Sequence, residues 1–177
     1  MKINNQVSTE GGGDGKYVDS REIKNSDGGI KVRLYGDAEM GYSKFIKDAE
    51  GKFKIIRSTD VPDMSDASEG YQGAEQKPGK NMYIVAWNYT TEAPCLLTLD
   101  KVALINGVIA VNDDKDLADA TEYDFKLTYD KDAAPQDKYK VIRMDKTALT
   151  AEQKKGLKEF ASNIDLAAHA AGEDQDY

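Results

Sequence analysis

From Ile30 the chain alternates apolar and polar positions. Ile30, Val32 and Leu34 fall on one side of an extended segment, and Lys31, Arg33 and Tyr35 on the other. That period of two predicts a strand with one apolar face and one basic, aromatic face. Residues 42–47 and 52–57 read as a hairpin around Glu50-Gly51, carrying Tyr42, Phe45 and Phe53 among five basic residues. Residues 82–89 give the clearest strand, with Tyr83, Val85, Trp87 and Tyr89 on one face and Met82, Ile84 and Ala86 on the other. A turn at 90–93 returns the chain through a partner strand at 95–99. Two further strands are predicted at 122–129, where Tyr123, Phe125, Leu127 and Tyr129 share a face, and at 138–144.

Residues 100–111 fit two patterns. Asn106-Gly107 between apolar runs is a hairpin signal. The flanks are continuously apolar, however, and Asp100 stands where a helix cap belongs, so a short helix is the preferred reading. Thr150 and Gln153 have the spacing of a capping box, opening a helix that carries Leu157, Phe160, Ala161 and Ile164 and runs to about His169. The organisation expected is a flexible Gly-rich arm over 1–29, a domain over 30–148 interrupted by a long polar loop at 58–81, a C-terminal helix over 149–171 and an acidic tail over 172–177. About five to six short strands with one short internal helix and a C-terminal helix predict a mainly β fold, a Greek-key barrel of OB type. The regular helix–strand alternation of a parallel α/β sheet is missing.

Composition narrows the chemistry. The chain holds one cysteine, Cys95, and one histidine, His169. An internal disulfide is impossible, and a structural zinc site lacks ligands. Cys95 lies in an apolar run and reads as a buried thiol; His169, in an Ala-rich stretch, reads as a solvated imidazole. The acidic loop around Asp113, Asp114 and Asp116 lacks the spacing of a calcium loop, and no catalytic Ser, His or metal-protease motif is present. The tract Gly11-Gly12-Gly13-Asp14-Gly15 is not followed by the Lys-Ser/Thr of a phosphate-binding loop. A protein without enzymatic activity, cofactor or metal is expected. No apolar run approaches the ~20 residues of a membrane helix, and the first residues lack the apolar core of a secretory signal. The expected compartment is therefore the cytoplasm, that of the host cell if the protein is viral.

The net charge of −8 argues against a nucleic-acid partner, but its distribution changes the picture. Between Lys31 and Arg57 seven basic residues face only four acids. Lys31, Arg33, Lys44, Lys47, Lys52, Lys54 and Arg57 are interleaved there with Tyr35, Tyr42, Phe45 and Phe53. Bases stack on exposed rings for about 1–3 kcal/mol each while cations neutralise the backbone, the requirement of a sequence-tolerant single-strand groove. Tyr89, Lys126, Lys140 and Arg143 on the later strands extend the candidate surface. Tyrosine also favours sheets for packing reasons alone, and Trp87, on a mixed face, is expected in the core rather than on the platform.

Four stretches carry a resemblance: IKVRLYGDAEMGY, MYIVAWNYTTEAPCLLTLDK, ADATEYDFKLTYDKD and DKYKVIRMDKTALTAEQ. Together, over about residues 28–153, they resemble the single-stranded DNA-binding proteins of tailed phages. The resemblance implies an OB-fold core, sequence-independent binding of single-stranded DNA, and a role in phage DNA replication or recombination. It also implies a C-terminal tail, here Glu173, Asp174, Asp176 and Tyr177, that contacts replication proteins and competes with DNA. A homo-oligomer is compatible with this reading, as is an alternative in which the same barrel serves as a phage structural or protein-interaction module.

Overall fold

A computed structural model describes residues 15–173. The fold is mainly β. Seven strands, β1 (Tyr17–Val18), β2 (Ile30–Lys47), β3 (Phe53–Ser58), β4 (Gly79–Asn88), β5 (Ala93–Leu99), β6 (Tyr123–Tyr129) and β7 (Tyr139–Lys146), form one mixed sheet. Four helices accompany them: α1 (Ser20–Asn25), α2 (Val102–Asn112), α3 (Ala151–Ser162) and α4 (Leu166–Ala170). The strand path runs β1-β5-β4-β2-β6-β7, with β3 also paired to β2. Only the β1–β5 pairing is parallel.

The spine is β2. One edge pairs with β4 along most of its length; the other pairs with β6 near Ile30–Arg33 and with β3 at Tyr42–Lys47. The two strands read separately in the sequence, at Ile30–Tyr35 and Tyr42–Lys47, are thus halves of one. They are joined through an irregularity between Tyr35 and Glu39, where Gly36 takes φ +71°. That left-handed conformation is open to glycine at little cost and lets the strand kink without losing its partner.

Both faces of β4 are buried. Met82, Ile84 and Ala86 join Val32, Leu34, Leu97, Leu99, Phe125 and Leu127 beneath α2, which contributes Leu104, Ile105 and Val108. Tyr83, Val85 and Trp87 face the other way, under Leu157, Phe160 and Ile164 of the C-terminal segment. Trp87 is in the core, as its mixed strand face predicts. The preferred helix at 100–111 is α2, although Asp100 does not cap it: the cap position is Lys101, and Asp100 instead accepts from the Ser20 hydroxyl at 2.9 Å.

Three sequence expectations are corrected. The strands do not close into a barrel, because β1 and β7 end the path without pairing. Helix α1 fills that gap: Ile23 is fully buried, and the Tyr139 hydroxyl donates to the Ser20 carbonyl at 3.3 Å. Consequently the arm expected over 1–29 is ordered from Tyr17. Asp19 caps α1 by accepting from the amides of Arg21 and Glu22, while residues 1–14 lie outside the described part. Finally, the single C-terminal helix is two. The capping box at Thr150 and Gln153 opens α3, but Asn163 ends it and Asp165 caps α4 anew.

Candidate nucleic-acid interface

The β2–β3 hairpin is built on a turn that Asp48 organises, accepting from the amides of Glu50 at 3.0 Å and Lys52 at 2.8 Å. Its register places Phe45 opposite Ile55, Lys47 opposite Phe53 and Ser43 opposite Arg57. Since side chains alternate along a strand, these six share one face. Phe45 is 45% exposed and Phe53 60% exposed. The Lys47 ammonium lies 5.4 Å from the centroid of the Phe53 ring, a cation–π distance. Lys52 is exposed at the turn and Lys54 half-buried on the opposite face.

The long polar loop braces this hairpin. Gln76 accepts from the Phe45 amide at 2.6 Å and donates to its carbonyl at 3.1 Å, and the Ser68 amide donates to the same carbonyl at 2.8 Å. Where β4 stops, side chains of the loop thus take over the backbone groups of β2, which would otherwise form an open sheet edge. On the far face Lys44 is buried, its ammonium donating to the Asp63 carbonyl and to Asp66. Lys44 is therefore withdrawn from the surface predicted for it.

A second basic group lies on β2, β6 and β7. Asp124 is at its centre, buried and accepting from Lys31 at 2.7 Å, from Arg33 at 2.6 Å, from the Tyr89 hydroxyl at 2.9 Å and from the Thr147 hydroxyl at 3.0 Å. Burial pushes its carboxyl up, yet the bonds from Lys31 and Tyr89 and the charge of Arg33 outweigh it and hold the pKa below the usual carboxylate range. The Tyr89 phenol is pushed up, first by burial and then by its bond to Asp124. Arg33 is buried and fully engaged, so it too leaves the set of surface cations. Lys31 is committed as well, with its ammonium 4.2 Å from the Tyr89 ring.

The remaining candidates separate. Lys126 stands directly across from Lys31, and Lys140 is exposed on β7 opposite Thr128. Arg143 points to the other face, 4.9 Å from the Tyr123 ring. Tyr35 and Tyr42 are half-buried, and Arg57 is half-buried at the hairpin base. The structure thus brings Phe45, Lys47 and Phe53 onto one face with Ile55, with Arg57 half-buried at the base of that face and Lys52 exposed at the adjoining turn, and places the other predicted residues elsewhere. Ile55 follows from alternation with Phe53, but Asp124, Thr147 and Gln76 carry no recognisable motif. Their roles depend on partners 91, 23 and 31 positions away.

Outside the interface, Cys95 is fully buried, which pushes its thiol up to about 12. His169 is a correction: it is buried on α4, edge-on to Tyr83 at 4.9 Å, not solvated, because Ala-rich α4 docks on the sheet. Among the described residues no cluster of His, Cys, Asp or Glu suits a metal ion, and no helix is long and apolar enough to cross a membrane. Of the predicted tail, Glu173 is exposed, while Asp174, Asp176 and Tyr177 lie outside the described residues. No protein-family model, curated protein or solved structure matches the chain.

Proposed function

We propose that the protein binds single-stranded nucleic acid, without catalysis, on the β2–β3 hairpin. One observation carries the reading: Phe45 and Phe53 stand exposed on one face of a braced hairpin, with Lys47 against the second ring and Lys52 exposed at the turn. Two open rings offer stacking surfaces that tolerate any base, and adjacent ammonium groups offer counter-charge to the backbone. The likeness of the four sequence stretches to phage single-stranded DNA-binding proteins supports DNA as the strand, replication or recombination as the setting and a host-cytoplasmic location. It also supports a relationship to the OB fold, although the strands here do not close into a barrel. In this reading the tail from Glu173 onward takes replication proteins as partners.

The test is a fluorescence-anisotropy titration of labelled oligo(dT) across a salt series. Binding should weaken steeply with salt, and Phe45→Ala with Phe53→Ala should cost about 2–6 kcal/mol together, at 1–3 kcal/mol per stacked base. No binding at low salt would remove the proposal. A protein-interaction module is the second reading, favoured by the acid-lined cavity on β2 described next.

A further inference from the structure

The kink in β2 opens a surface that the hairpin reading does not use. Tyr35, Val85, Ala161, Ile164 and Leu166 line a cavity of about 460 Å³ between the sheet and the α3–α4 junction. Asp37 and Glu39 belong to the same lining. Among the described residues neither carboxylate is engaged in an ion pair, and neither is Lys47 or Lys52 on the hairpin. One molecule therefore carries an apolar, acid-bordered hollow and, elsewhere, an apolar, lysine-bordered projection.

We infer that the hollow is the docking site for the hairpin tip of a second copy of this chain. Phe53 enters among Ile164, Leu166 and Tyr35, and Lys47 and Lys52 meet Asp37 and Glu39. Complementary charge on both sides, unpaired among the described residues, favours this partner over an uncharged one. A copy cannot satisfy itself: Glu39 and Lys47 sit eight residues apart on one continuous strand, about 26 Å at 3.3 Å per residue. Because hollow and tip are different surfaces, the contact is heterologous. Each added copy presents a fresh hollow at one end and a fresh tip at the other, so the assembly grows as an open chain unless its rotation closes a ring. If the hairpin also binds nucleic acid, strand and hollow compete for Phe53; that corollary alone rests on the proposed function.

Sedimentation velocity of the full chain without nucleic acid tests the contact independently. The weight-average sedimentation coefficient should rise with protein concentration. Reversing the hollow with Asp37→Lys and Glu39→Lys, or the tip with Lys47→Glu and Lys52→Glu, should each weaken association by about tenfold or more. An equimolar mixture of the two reversed proteins should associate again, because one hollow then matches the other tip. Phe53→Ala, which alters no charge, should weaken it also. A monomer at all concentrations up to about 1 mM overturns the inference. So does association that both reversals leave intact, which would point instead to another surface such as the exposed Val102 and Ile109 of α2. Loss without recovery in the mixture overturns it too, provided thermal unfolding shows each variant folded.

Discussion

The Arg33 guanidinium lies 2.6 Å from the Asp124 carboxylate, with their side chains only 4% and 1% exposed. Arg33 also donates to the Thr147 carbonyl and hydroxyl at 2.8 and 2.7 Å. The pair thus ties β2 and β6 to the segment that leads into α3. Asp124→Asn would leave a buried guanidinium without its counter-charge, a change that costs about 3–5 kcal/mol. Urea denaturation measures it. Replacing both partners, Arg33→Met with Asp124→Leu, should cost less than the single change, because the one cation left without its partner, Lys31, is 37% exposed rather than buried. A single substitution costing under about 1 kcal/mol would show that the network is dispensable.

Acid should destabilise the fold in two stages. Burial, and then the charge of Arg57, lowers the His169 pKa to about 4, against about 6.5 for an unfolded chain. Between those values the unfolded state binds more protons. The contribution of His169 is therefore complete above pH 6.5 and lost as pH falls to 4, on the order of 3 kcal/mol in all. Asp124, held below its ordinary range, adds a loss that starts near pH 3.9, its unfolded value, and deepens below it. In His169→Leu the urea midpoint should change much less between pH 6.5 and 4.5. An unchanged slope would mean the imidazole is not buried in solution.

Gly107 is in the middle of α2, where alanine would ordinarily gain up to about 1 kcal/mol. Here a Cβ would fall 2.7 Å from Val141 of β7. Gly107→Ala should therefore destabilise, by about 1–3 kcal/mol. Val141→Ala in the same chain should recover part of that loss, so the pair should be less than additive. A stabilised single variant would show that helix and strand are not in this contact.

Thr150→Ala removes half of the capping box that starts α3, at a cost of about 1 kcal/mol. A Cβ on Gly156 would lie 3.4 Å from the Trp87 ring, so α3 covers the only tryptophan. Trp87 emission should shift to the red at lower denaturant in the Thr150→Ala protein. Coincidence of that shift with the far-ultraviolet circular dichroism transition would show that α3 unfolds with the sheet; an earlier shift would show that it opens first.

Much of the sheet was legible because period-two alternation survives wherever one strand face is buried differently from the other. The hairpin, β4 to β7 and the capping box appear at the expected places. What escaped depends on long-range neighbours. Short α1 holds a single fully buried aliphatic residue, Ile23, inside a polar, Gly-rich sequence, and nothing local announces that it fills the gap between β1 and β7. Lys44 and Arg33 look like surface cations until Asp66 and Asp124 are brought against them. The exposed hairpin rings could be placed on a strand, yet their exposure follows from where the loop at 59–78 lies.

The divided edge of β2 also sets an order of assembly. Its first residues pair with β6, so Arg33 meets Asp124 across 91 positions of sequence. During synthesis from the N-terminus, the hairpin and β4 can form while half of that edge, with its guanidinium, still waits. Local pairing therefore precedes completion, and the last step is slow in the way of distant strand contacts. A nascent chain halted before residue 123 would display the Ile30–Arg33 edge of β2 without its β6 partner, a state open to capture by a chaperone or to aggregation.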